Sequence, residues 1–157
     1  MINLNLICKS NHWPARIKKV DLIIKKIVVF KKDLKFNKYV NYDCNIILSD
    51  NKLLKKMNLK FCNKQYSTDV LTFVSEIDIK KRKKIKVCDI FLSAEIIKKD
   101  AYKNHVKFYD HLAHILIHSF LHINGYMHYK IKDFNIMKDI EIKILNKLEI
   151  DNPYLQN

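Results

Sequence analysis

Residues 111 to 129 read HLAHILIHSFLHINGYMHY. No Asp, Glu, Lys or Arg interrupts them, in a chain whose charged fraction is 29%. Charged side chains are seldom fully buried without partners, so the run is expected to lie largely in the interior. It is long enough to cross a bilayer, but it carries five histidines plus Ser119, Asn124 and Gly125, which disfavours a lipid-facing helix. The spacing predicts a helix from about Phe108 to Asn124. His118 and His122 stand at i and i+4 on one face of it. Gly125 is the only glycine of the chain and falls where that helix must end and reverse. The returning chain can then bring His128 toward the other two rings.

Three imidazoles from a helix and its return suit a catalytic metal site in which a fourth position stays open for water. Zinc at such a site lowers the pKa of the bound water toward roughly 7. Histidines satisfied within the core are the alternative. Three at this spacing, in a charge-free helix closed by the one glycine, favour metal binding. His114, one turn earlier, is a candidate fourth ligand, substrate contact, proton-transfer group or partner of a ligand. His105 and His111 are expected near the surface.

Around this helix the chain reads as one domain, 1–157, of mixed α and β elements. Strands are expected at Asn3–Cys8, Cys44–Leu48, Val70–Val74 and Val87–Leu92, from runs rich in β-branched and apolar residues. Helices are expected after Pro14, after Ser49 or Asp50, after Ser93 and around Met137–Leu148. This order implies an α+β fold: a small mixed four-stranded sheet with about five helices, and the metal site on a central helix and the following turn. DIKKRKKIK (78–86) reads as a solvated hairpin tip, with phosphate binding as the alternative.

Composition limits the function. Net charge is +14, with 30 Lys and Arg, only two of them arginine. Lys, Asn and Ile are heavily used throughout, so part of the excess is compositional drift and part points to an anionic partner such as nucleic acid. Cys8, Cys44, Cys62 and Cys88 form no C-x-x-C pair, which argues for free thiols in a reducing compartment. MINLNLICKS lacks the apolar core of a secretory signal, so a cytoplasmic protein is expected.

H-x-x-x-H-x-x-G-x-x-H is also the histidine spacing of metzincin zinc proteases, whose general base is a glutamate directly after the first histidine. Ser119 stands there, and a hydroxyl is no substitute for a carboxylate base at neutral pH. HILIHSFLHINGYMH instead resembles the signature of the YbeY endoribonucleases, close to H-G-x-L-H-L-x-G-Y-D-H. STDVLTF (67–73), CDIFLS (88–93) and MKDIEIKILNKLEIDNPY (137–154) resemble further segments of that family, in the same order.

The resemblance implies a small α+β fold and zinc held by His118, His122 and His128. It implies cleavage of single-stranded RNA in rRNA maturation, at the small-subunit 3′ end, and in ribosome quality control. Ribosomal RNA, small-subunit proteins and an Era-type GTPase are the implied partners. Four positions depart from the family pattern. Cys62 replaces an arginine thought to contact RNA, Met127 replaces an aspartate, and Ser119 and Cys88 replace glycines. Lys60 and Lys64 are candidates to supply charge for substrate near Cys62, without a guanidinium's fork geometry. Thr68 is a further candidate substrate contact. A weakly active or inactive RNA-binding assembly factor is the alternative function, and a zinc protease a more distant one.

Overall fold

A computed structural model of the protein describes residues 1–79 and 83–155. The elements follow the order β1 (Ile2–Cys8), a 3-10 turn at Pro14–Arg16, α1 (Ile17–Val28), β2 (Val40–Ser49), α2 (Asn51–Cys62), β3 (Val70–Ile79), β4 (Lys83–Ser93), α3 (Ala94–Lys103), α4 (Phe108–Ile123), α5 (Ile131–Lys147) and a second 3-10 turn at Pro153–Leu155. The fold is α+β, with a four-stranded mixed sheet and five α-helices among the described residues. The chain divides into two compact units, one of Met1–Ile17 and Asn37–Lys99, the other of Lys18–Phe36 and Asp100–Asn157.

The first unit holds the sheet, in the order β1-β2-β4-β3. β1 and β4 each run parallel to β2, while β3 returns antiparallel to β4. Side chains alternate across the pleat. Tyr42, Cys44, Ile46 and Leu48 of β2 therefore share a face with Cys88, Ile90 and Leu92 of β4, and all are buried. The opposite face carries a polar ladder. Asn3 and Asn5 each donate to Asp43, and Asn45 donates to Asp89 across 2.8 Å. Asp50, one of the two expected caps, starts α2 by accepting the Leu53 amide at 2.9 Å.

Three strands run further than the sequence suggested. β2 begins at Val40, β3 continues to Ile79 and β4 begins at Lys83. Most of the basic stretch read as a solvated tip is thus paired strand, and Lys80–Arg82 lie outside the described residues. The cause is cross-strand pairing. Glu76 stands opposite Lys86, and Asp78 opposite Lys84, so each lysine meets a carboxylate-bearing partner across the ladder. Glu76 and Lys86 form an ion pair at 3.4 Å.

The second unit is helical. α1 buries Val20, Ile24 and Ile27, the apolar stripe visible in the sequence. Asp33, just beyond α1, accepts from Lys143 at 2.7 Å and Lys147 at 2.8 Å on α5. These hydrogen bonds hold its carboxyl at about 2. α4 spans the range expected of it and buries nine residues, from Leu112 to Ile123. α5 packs against it. No described helix is long and apolar enough to cross a membrane.

Candidate metal centre

α4 is buried on most of its circumference, and His111, His114, His118 and His122 mark its half-buried face. Its end is closed by a paired-bond reversal. The Tyr126 amide donates to the Leu121 carbonyl, and the Gly125 amide to the His122 carbonyl, both at 3.0 Å. Gly125 sits at φ +90°. A Cβ there would meet nothing within 4 Å, so backbone conformation, not crowding, demands glycine. The reversal returns the chain and sets the His128 ring 5.2 Å from that of His118 and 4.9 Å from that of His122, centroid to centroid.

One ligand atom from each of these three histidines lies within 4.8 Å of the others. Two of the rings are anchored by their far nitrogens. His118 Nδ1 lies 2.6 Å from Glu141 Oε1, and His122 Nδ1 lies 2.8 Å from the Tyr126 carbonyl oxygen. A carboxylate and a carbonyl only accept, so each Nδ1 carries the proton and donates it. The two Nε2 atoms then face one another at 2.9 Å, each with a lone pair. Two lone pairs at that distance repel unless a cation lies between them. The donor set therefore fits a metal ion that takes imidazole nitrogen.

Glu141 is fully buried on α5. Its Oε1 serves His118, and its Oε2 lies 2.8 Å from His114 Nε2 and accepts from the Tyr154 hydroxyl. Burial alone would raise its pKa, but the hydrogen bonds from His114 and His118 outweigh that and hold it at about 2. Glu141 is thus an anion behind the site. Burial, reinforced by the neighbouring His118, pushes His122 down to about 4, which keeps it in the neutral form a metal requires. Tyr154 is pushed up by burial and by its bond to Glu141, so it remains a donor.

Sequence reasoning missed Glu141 and Tyr154. Glu141 had a signal: it lies four residues after buried Met137 and three before buried Ile144, a carboxylate inside an apolar stripe. Met127 is exposed. The carboxylate that orients His118 comes from a different helix. Ser119 is fully buried and its hydroxyl has no hydrogen-bond partner among the described residues.

The remaining candidates lie in the first unit. Lys60 and Lys64 are exposed, with Nζ 5.2 Å from the Phe61 ring centroid and 5.9 Å from that of Tyr66. Thr68 donates to Asp69 Oδ1 at 3.1 Å, an oxygen that also accepts the Val70 amide. Cys62 is exposed at the end of α2.

These features define an α+β protein with a three-histidine group able to hold a metal ion. Residues 6–149 match the family described as Endoribonuclease YbeY, and the chain belongs to that family. It is 35% identical to the Endoribonuclease YbeY of Ehrlichia ruminantium strain Gardel, over 99% of this chain and 96% of that one. It is 35% identical to that of Pelagibacter ubique, over 87% and 90% respectively. In fold it is similar to the solution structure of TM1509 from Thermotoga maritima, with a TM-score of 0.54 and 22% identity, covering 100% of this chain and 97% of the other.

Proposed function

We propose that residues 1–157 work as one zinc-dependent domain that cleaves single-stranded RNA. Its task would be rRNA maturation at the small-subunit 3′ end, and ribosome quality control. The carrying observation is the pair of Nε2 atoms of His118 and His122, 2.9 Å apart with both Nδ1 atoms anchored to acceptors, in a member of this family. A bound zinc would supply Lewis acidity and a nucleophile at neutral pH.

The chain's own residues divide the remaining work. His118, His122 and His128 would hold the ion. Glu141 fixes the His118 tautomer and makes its Nε2 a stronger donor to the metal, as the Tyr126 carbonyl does for His122. Tyr154 and His114 hold Glu141 in place. His114 is the candidate to move a proton at the substrate, through Nδ1, since its Nε2 is engaged with Glu141. Lys60, Lys64 and Thr68 are the candidate contacts to the RNA backbone. Lysines act there as point charges, without the bidentate geometry of an arginine. The setting is the cytoplasm, with ribosomal RNA, small-subunit proteins and an Era-type GTPase as partners.

Cys62 favours a second reading, an assembly factor that binds RNA and cleaves it weakly or not at all. A thiol supplies neither the charge nor the fork of the guanidinium that the resemblance implies for this position.

One comparison separates the readings. Purified protein is assayed for metal and incubated with precursor rRNA and with a protein substrate. RNA cleavage that depends on metal and disappears in His122→Ala supports the ribonuclease. Metal without cleavage supports the assembly factor. Proteolysis without RNA cleavage overturns both.

A further inference from the structure

The histidine stripe of α4 is longer than the metal site. His111, His114, His118 and His122 follow i, i+3, i+7, i+11 spacing and so share one face of the helix. The last two belong to the metal group. The first two line a separate cavity of about 200 Å³, lined also by Asp110, Leu145, Ile150 and Pro153. His111 and His118 are seven residues apart, a rise of about 10 Å along the helix. His114 is shared: it lines the cavity and also bonds Glu141, which bonds His118.

The lining has a definite chemistry. Imidazole rings, Pro153 and the side chains of Leu145 and Ile150 give the lining planar and apolar groups. Asp110 is the half-buried carboxylate, and Glu149 and Asp151 add two more at the exposed rim. Lys107 is the one lysine on the lining, in a chain of net charge +14. A site for phosphate would reverse that balance. An ionised carboxylate only accepts hydrogen bonds, so it selects for donors. Proteins recognise unpaired RNA by stacking a splayed base on aromatic side chains, histidine among them, and bonding its edge.

We propose that this cavity is a nucleobase subsite that takes an amino-bearing base, guanine foremost, from the RNA strand flanking the cleaved bond. Guanine presents N1–H and N2–H side by side, which matches the two oxygens of a carboxylate. Uracil presents a single N–H between two carbonyls and is disfavoured. The proposal rests on the ribonuclease reading above for its strand and supplies what that reading lacks, a reason for sequence preference.

The test titrates GMP, AMP, CMP and UMP separately into the metal-loaded, isotope-labelled full chain and follows the methyl resonances of Leu145 and Ile150. GMP is expected to shift both at concentrations about tenfold lower than UMP. In Asp110→Asn the four affinities should converge, and in the rim variant Asp151→Asn the gap should narrow. A thermal melt of each variant separates a lost contact from lost folding. Equal response to all four nucleotides, or shifts confined to residues outside the cavity, would overturn the subsite. Metal-dependent cleavage of single-stranded RNA is measured on the same preparation. Cleavage without base discrimination removes only the subsite, whereas discrimination without cleavage removes only the ribonuclease reading.

Discussion

Glu141 Oε1 lies 2.6 Å from His118 Nδ1, and the carboxylate is completely buried. An anion sealed in the interior survives because His114, His118 and Tyr154 all face it. Its consequence is electrostatic: it strengthens the nitrogen that His118 presents on the other side of its ring. Replacing it with the isosteric amide, Glu141→Gln, keeps the shape and removes the charge. Metal affinity is expected to fall by about 10- to 100-fold, read by competition with a fluorescent chelator. Unchanged affinity would show that the carboxylate does not tune the site.

Tyr154→Phe removes one donor to the same carboxylate. A hydrogen bond to a charged group is worth roughly 1.5–3 kcal/mol, so the variant should be destabilised by about that amount in urea unfolding. Metal affinity should fall less than in Glu141→Gln, because His114 still holds the second oxygen.

Gly125→Ala tests the reversal that delivers His128. At φ +90° an added Cβ costs roughly 1–2 kcal/mol. Both stability and metal affinity should fall, since the strain sits three residues before a candidate ligand. Denaturant unfolding and metal titration read the two effects.

The metal-free protein should lose stability on acidification in two stretches. His122 is held at about 4 against an ordinary 6.5, so the unfolded chain takes up its proton first and stability falls as pH drops from 6.5 toward 4. Glu141 is held at about 2 against 4.5, so its contribution is complete above 4.5 and disappears as pH falls toward 2. Thermal melts of chelated protein from pH 7 to pH 3 should show a continuous fall in Tm. A flat profile would contradict both shifts.

Cys62→Arg places a planar cation at the exposed end of α2. RNA cleavage should rise if a guanidinium at this position engages the substrate, with metal content unchanged. Parallel cleavage assays of the two proteins decide this.

The helix and reversal of the site were legible because their signals are local. Freedom from charge, an i, i+4 histidine pair and one glycine fix α4 and its end to within a residue of the observed Ile123. The strand ends were less legible because they depend on pairing. Nothing near Lys84 or Lys86 in sequence announces that Asp78 and Glu76 stand opposite them. Glu141 was hidden for a related reason. A carboxylate in an apolar stripe reads as an interruption until the partners on α4, more than twenty residues earlier, are brought against it. Met127 stands exposed inside the histidine motif, while the acid that bonds His118 lies on the next helix, α5.

Mass-spectrometric metal analysis of protein purified without chelators, run alongside His122→Ala, tests whether His118, His122 and His128 together hold one metal ion. Close to one zinc per chain is expected in the native protein, with near-complete loss in the variant. Less than about one metal per three chains, or a variant that keeps its metal, would contradict it.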